Sequence, residues 1–137
     1  MRNRGHFSNS FLALAVLVGT SVPNLGVAQQ INGNELYEAC RNEEPVQLGF
    51  CIGYIIGYSE GAPWGAFMAL KQASPAMSAE TANGLINAFL GSCPPSEASN
   101  SQLRDVLLKY MTEHPETRHE SARTLIWQAY AEAFPCK

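Results

Sequence analysis

The residues best equipped for chemistry in this sequence are its four cysteines, Cys40, Cys51, Cys93 and Cys136. They contain no Cys-x-x-Cys pair, so neither the close thiolates of a zinc site nor a redox dithiol is expected. His114 and His119 stand five apart, a spacing that does not place both on one helix face as a metal pair requires. Ser92, Ser96, Ser99 and Ser101 have no histidine close by in sequence, and Glu43-Glu44 falls at a turn, where carboxylates are solvated. No glycine-rich loop follows a strand to cradle a phosphate. The expectation is therefore a non-enzyme with no catalytic residue, no metal and no cofactor. What remains for the cysteines is cross-linking. Four cysteines allow three pairings. Cys40–Cys51 is favoured because the two flank a short turn between antiparallel helices, and Cys93–Cys136 because it would tie a long loop to the end of the chain. Each bond would contribute roughly 2–4 kcal/mol if unstrained.

Cross-links of this kind belong in an oxidising compartment, and the start of the chain agrees. Arg2 and Arg4 precede the apolar run Phe11 to Val18, and Pro23, Gly26 and Ala28 follow. Basic, apolar and small segments in that order predict a secretory signal peptide over residues 1–28, cleaved after Ala28. The run is far shorter than the ~20 residues needed to cross a bilayer. Cleavage leaves 109 of the 137 residues, with 12 acidic and 7 basic side chains, a net charge of −5 instead of −3. That balance argues against nucleic acid and anionic membrane surfaces as partners. No later segment suits stable membrane insertion. Residues 29–137 make one domain in an aqueous, periplasmic setting. A chain this small buries only about two-thirds of its unfolded surface, so disulfides would add to a limited core.

The elements that must position these cysteines read as helices, giving an all-α, disulfide-stapled bundle of about five. Asn34 is expected to cap a first helix ending near Asn42, with Glu35 at its positive end. Pro45 restarts the chain. Residues 47–60 are the most apolar stretch and predict a central helix, on which Gly53, Gly57 and Gly61 line one face and admit another backbone. Pro63 and Gly65 are expected to interrupt it. Ser78 suits the cap of a helix carrying Leu85, Ile86, Phe89 and Leu90, and Gly91 its stop. Cys93-Pro94-Pro95 opens a loop reaching Asn100. Ser99 with Gln102 forms a capping box, followed by the stripe Leu103, Val106, Leu107, Tyr110 and Met111. Pro115 suits the first turn of the last helix, whose stripe runs from Ala122 to Phe134. Asp105 and Lys109 make an ordinary surface pair.

Gly33-Asn34-x-Leu36-Tyr37-x-x-Cys40, then Cys51-x-Gly53-Tyr54-Ile55-x-Gly57, resembles the start of the Rap/Tai family of immunity proteins. Cys93-x-Pro95, Gln102-Leu103-x-Asp105-Val106, Lys109-Tyr110, His114-Pro115-Glu116-x-Arg118-His119 and Ala133-Phe134-Pro135-Cys136 resemble its C-terminal signature. The resemblance spans nearly all of residues 29–137. It implies a small, helical, disulfide-bonded periplasmic protein. Its partner would be a peptidoglycan-cleaving amidase injected by a type VI secretion system, bound so that the active site is blocked. It also implies homodimers, and a loop between helices that enters the enzyme cleft. By that analogy the partner-binding loop is Gly91–Asn100, with Pro94, Pro95, Ser96 and Glu97 at its tip. Ala62 to Ser78 and Pro94 to Ala98 match no family motif, as expected of surfaces that vary with the effector. The alternative reading is a periplasmic stress-response or chaperone-like protein, whose twelve carboxylates would make it pH-responsive.

Overall fold

The computed structural model describes residues 30–136. The expected signal peptide therefore lies outside the described residues. Five helices follow in order: α1 Gly33–Arg41, α2 Pro45–Ala73, α3 Ala79–Leu90, α4 Asn100–Glu113 and α5 Ala122–Ala133. A 3-10 turn, Pro115–Thr117, separates the last two. Extended pairing among the described residues is limited to two isolated bridges, Asn32 with Ser121 and Ser92 with Pro135. The fold is all-α.

Local chemistry sets the helix ends. Asn32, not Asn34, caps α1. Its side chain accepts from Glu35 N at 3.1 Å, and Glu35 Oε2 accepts from Asn32 N at 2.9 Å, a complete capping box. Glu44 is not merely solvated, because one of its oxygens accepts from Val46 N and Gln47 N at the start of α2, both at 3.0 Å. Ser78 caps α3. Ser99 caps α4 through Gln102 N, forming half of the expected box. Pro115 opens the 3-10 turn, so α5 starts later than expected, at Ala122. Lys109 pairs with Glu113 at 2.9 Å, while Asp105 is taken by Arg104 at 3.0 Å.

The core is built mainly from α1, α4 and α5. Leu36, Leu107, Met111, Leu125 and Ile126 are fully buried, and Tyr37, Leu103, Ala129 and Tyr130 complete the layer. From α2 only Cys51 and Ile55 join this layer fully, with Tyr54 and Tyr58 partly buried against it. Cys40 and Cys51 are bonded across the α1–α2 turn, with S–S 2.00 Å and both sulfurs in the core.

Two expectations for α2 are corrected. Pro63 does not interrupt it, and the helix runs through to Ala73. Proline removes one backbone hydrogen bond and crowds the preceding turn, but α3 packs against this half of α2 and supports it. Among the described residues no other backbone approaches Gly53, Gly57 or Gly61. A Cβ placed on any of them would meet nothing within 4 Å.

Candidate functional site

The segment between α3 and α4 is short, shaped and held at both ends. Gly91 ends α3 in the left-handed region at φ 68°, a conformation glycine adopts without the Cβ penalty. The chain then turns alongside its own C-terminus. Cys93 N donates to Phe134 O at 2.7 Å, and Ser92 bridges Pro135. Cys93 and Cys136 are disulfide-bonded, with S–S 2.08 Å. At the far end Ala98 N donates to Pro95 O at 2.9 Å, Ala98 packs against the core, and Ser99 passes the chain into α4.

Between these anchors Pro94, Pro95, Ser96 and Glu97 are all exposed. Two consecutive prolines fix φ and lack amide protons, so the tip has few conformations to lose on binding. Ser96 Oγ donates to Glu97 Oε1 at 3.0 Å, which orients the carboxylate at the tip. The tip offers a carboxylate and a hydroxyl on an exposed segment held at both ends.

The other chemistry-bearing side chains do not converge. His114 ends α4 and packs on Tyr110, ring centroids 4.5 Å apart, with Glu116 at 3.5 Å. His119 is exposed and its Nδ1 lies 2.8 Å from Glu116 O. Among the described residues no group of three or more His, Cys, Asp or Glu could hold a metal. A groove of about 1230 Å³ runs between the second half of α2 and α3, lined by Glu60, Trp64, Phe67, Asn83 and Ile86. A smaller cavity of about 270 Å³ lies under the loop, bounded by Ser59, Asn87, Cys93, Pro94 and Tyr130. Ser59 Oγ and the Tyr130 hydroxyl are buried there without a hydrogen-bond partner among the described residues. Burial pushes the Tyr130 phenol up to about 12, with the neighbouring Ser59 hydroxyl pulling the other way, so it stays neutral and is no base at ordinary pH.

Among the described residues the α3–α4 loop is held at both ends by the contacts above. The family model for Rap1a immunity proteins matches residues 32–136. The chain belongs to this family. The match runs from the cap of α1 to Cys136, so all five described helices, both disulfides and the α3–α4 loop fall inside it. Searches of curated proteins and of solved structures find no match. Membership in the Rap1a family carries an immunity role and, with it, the binding of a cognate effector.

The structure gives physical work to several residues of the motifs quoted above. Gly33 is buried where a Cβ would lie 2.7 Å from Arg118 O and against the Leu125 side chain. Asn34 N donates to Arg118 O at 2.8 Å. The Arg118 guanidinium lies 3.7 Å from the centre of the Tyr37 ring. The Tyr37 hydroxyl in turn reaches Thr112 at 3.3 Å, a hydrogen bond that lowers its pKa, helped by the charges of Arg118 and Arg41. These residues clasp the start of α1 to the end of α4 and are structural. Sequence reasoning missed the outer face of α2, where Val46, Phe50, Trp64 and Met68 are exposed. The glycines spaced four apart were its only signal.

Proposed function

We propose that the protein is a periplasmic immunity protein that binds a peptidoglycan amidase delivered by type VI secretion and covers its active site, protecting the producing cell. The α3–α4 loop is the inserting element, and Pro94, Pro95, Ser96 and Glu97 are its contact residues. The observation that carries this reading is the anchoring of that loop. A disulfide, a backbone hydrogen bond to Phe134 and a bridge to Pro135 hold one end, and the α4 cap holds the other. Affinity then comes from contacts that need little ordering when they form.

Inhibition on this account is steric, with no chemistry by the immunity protein itself. Family membership favours it over a stress-response or chaperone-like role. The disulfides and the basic, apolar, small order of residues 1–28 support export to the periplasm.

The test pairs residues 29–137 with each of a panel of peptidoglycan amidases delivered by type VI secretion and measures release of soluble peptidoglycan fragments. Stoichiometric inhibition, abolished when Pro94–Glu97 is replaced by a Gly-Ser segment of equal length, is the expected result. Undiminished cleavage by every amidase in the presence of excess protein contradicts the proposal. So does full inhibition by the loop variant.

A further inference from the structure

Helices α2 and α3 pack as neighbours, and the groove between them has two chemically different walls. From α2 come Glu60, Trp64 and Phe67, successive turns apart and so on one face. Trp64 and Phe67 stack, with ring centroids 5.8 Å apart and planes inclined by 18°, which makes one broad aromatic surface. Trp64 stays 63% exposed although it is the largest apolar side chain of its helix. From α3 come Asn83 and Asn87, also one turn apart and both exposed. No side chain fills the groove at Gly57 and Gly61, where a Cβ would meet nothing within 4 Å.

The two walls suit different sides of one ligand. A stacked aromatic pair binds a flat apolar face, best one whose C–H groups carry partial positive charge against the negative ring faces. Carboxamides donate and accept together, and so match hydroxyls and amides. A pyranose ring has both surfaces, with C–H groups on its face and hydroxyls at its edge. Glu60, exposed on the aromatic wall, accepts from such hydroxyls and is the only charged side chain lining the groove among the described residues. Its charge disfavours phosphates and acidic peptides. A purely apolar occupant, such as an acyl chain, would desolvate Glu60, Asn83 and Asn87 without offering them a partner.

The groove continues into the cavity beneath the α3–α4 loop, because the two share Ser59, Pro63 and Asn87. No charged side chain among the described residues lines this inner space. Its unmet demand is for hydrogen bonds. Tyr130 is only 3% exposed, yet its hydroxyl and Ser59 Oγ have no partner among the described residues. An unsatisfied buried hydroxyl is costly, so a neutral group that both donates and accepts is favoured there. The cavity of about 270 Å³ equals roughly nine water volumes, room for one ring. The α3 wall from Ala79 to Asn87 rises about 12 Å, the length of roughly two further rings.

We infer that the α2–α3 groove binds a neutral oligosaccharide of about three rings. Trp64 and Phe67 are its stacking platform, Glu60, Asn83 and Asn87 read its hydroxyls, and Ser59 and Tyr130 lie at the inner end. This chemistry does not depend on whether the loop tip enters an effector.

Two probes test it. Chitotriose carries acetamido groups, as the glycan strand of peptidoglycan does, and cellotriose carries hydroxyls alone. Each is titrated into residues 29–137 bearing Trp127→Phe, which leaves Trp64 as the single tryptophan. At least one is expected to shift the Trp64 emission saturably, with a Kd below about 1 mM, and the tighter of the two identifies the glycan class. In calorimetry on the otherwise unchanged chain, Trp64→Ala should weaken binding about tenfold or more, and Asn83→Ala with Asn87→Ala should do the same. These side chains are exposed, so the thermal midpoints of both variants should stay close to the parent's. Tyr130→Phe removes the unpartnered hydroxyl. It should weaken binding several-fold and leave the thermal midpoint at neutral pH no lower, a separation that a merely structural role would not give. Absence of saturable binding by both probes overturns the proposal. So does binding that survives Trp64→Ala and the double asparagine variant undiminished.

Discussion

Replacing Cys93 and Cys136 together by serine opens a cross-link that spans 43 residues of sequence and contains α4 and α5. Closing a loop of that length removes chain entropy from the unfolded state worth about 4 kcal/mol at 25 °C. Little offsets this in the folded state, because both cysteines are exposed and the serine hydroxyls remain in water. The Cys93–Phe134 hydrogen bond and the Ser92–Pro135 bridge stay in place, so the fold survives while its margin shrinks. Native domains hold only about 5–15 kcal/mol in total, so a loss near 4 kcal/mol is severe. Urea unfolding without reductant is the assay. With a slope of about 1–3 kcal/mol per molar, the midpoint should fall by roughly 2 M, and the slope should rise as the unfolded chain expands. A loss below about 1 kcal/mol would refute the reasoning that this bond acts mainly by restricting the unfolded chain.

Further outcomes follow from burial and close approach. Gly33→Ala forces a Cβ onto the Arg118 carbonyl and the Leu125 side chain, and should cost about 1–3 kcal/mol by overpacking in a thermal or urea melt. A variant as stable as the parent would show that α1 is not clasped so tightly. Burial raises the Tyr130 phenol from 10.0 to about 12 in the folded protein, so the fold favours the neutral form. That contribution is complete below pH 10 and is lost as pH rises from about 10 to about 12. Tyr54 and Tyr58 shift in the same direction for the same reason, so Tyr130→Phe should flatten the fall of the thermal midpoint in this window without removing it. An unchanged slope would contradict the assignment.

Much of the scaffold was legible because the signals are local. Gly91 at a helix end, Ser78 and Ser99 before apolar stripes, and the 3.6-residue spacing from Leu103 to Met111 each act within a turn or two of chain. The cysteine partners could be placed because one pair flanks a single turn and the other joins a loop to the chain end. What escaped depends on contacts far apart in sequence. Pro63 is a helix breaker by local rule, yet α3 packs against that half of α2 and the helix continues. Asn32 and Asn34 are equivalent caps on propensity, and the backbone bridge from Asn32 to Ser121 decides between them. The stacking of Arg118 on Tyr37 joins residues that sequence does not relate. An apolar helix such as α2 also looks the same whether its glycine face meets its own chain or stays open. The boundaries of the α3–α4 loop were readable, but the fastening of its base to Phe134 and Pro135 was visible only in three dimensions.

The most direct test of the account is a titration of type VI secretion peptidoglycan amidases with residues 29–137, the cognate one identified by co-purification, followed by release of peptidoglycan fragments. The account expects activity to fall linearly to zero near one immunity chain per amidase, and to stay intact when Pro94–Glu97 is exchanged for a Gly-Ser segment in a variant that still folds. A co-purifying amidase that remains fully active at excess immunity protein, or is inhibited equally by the exchanged variant, would contradict it.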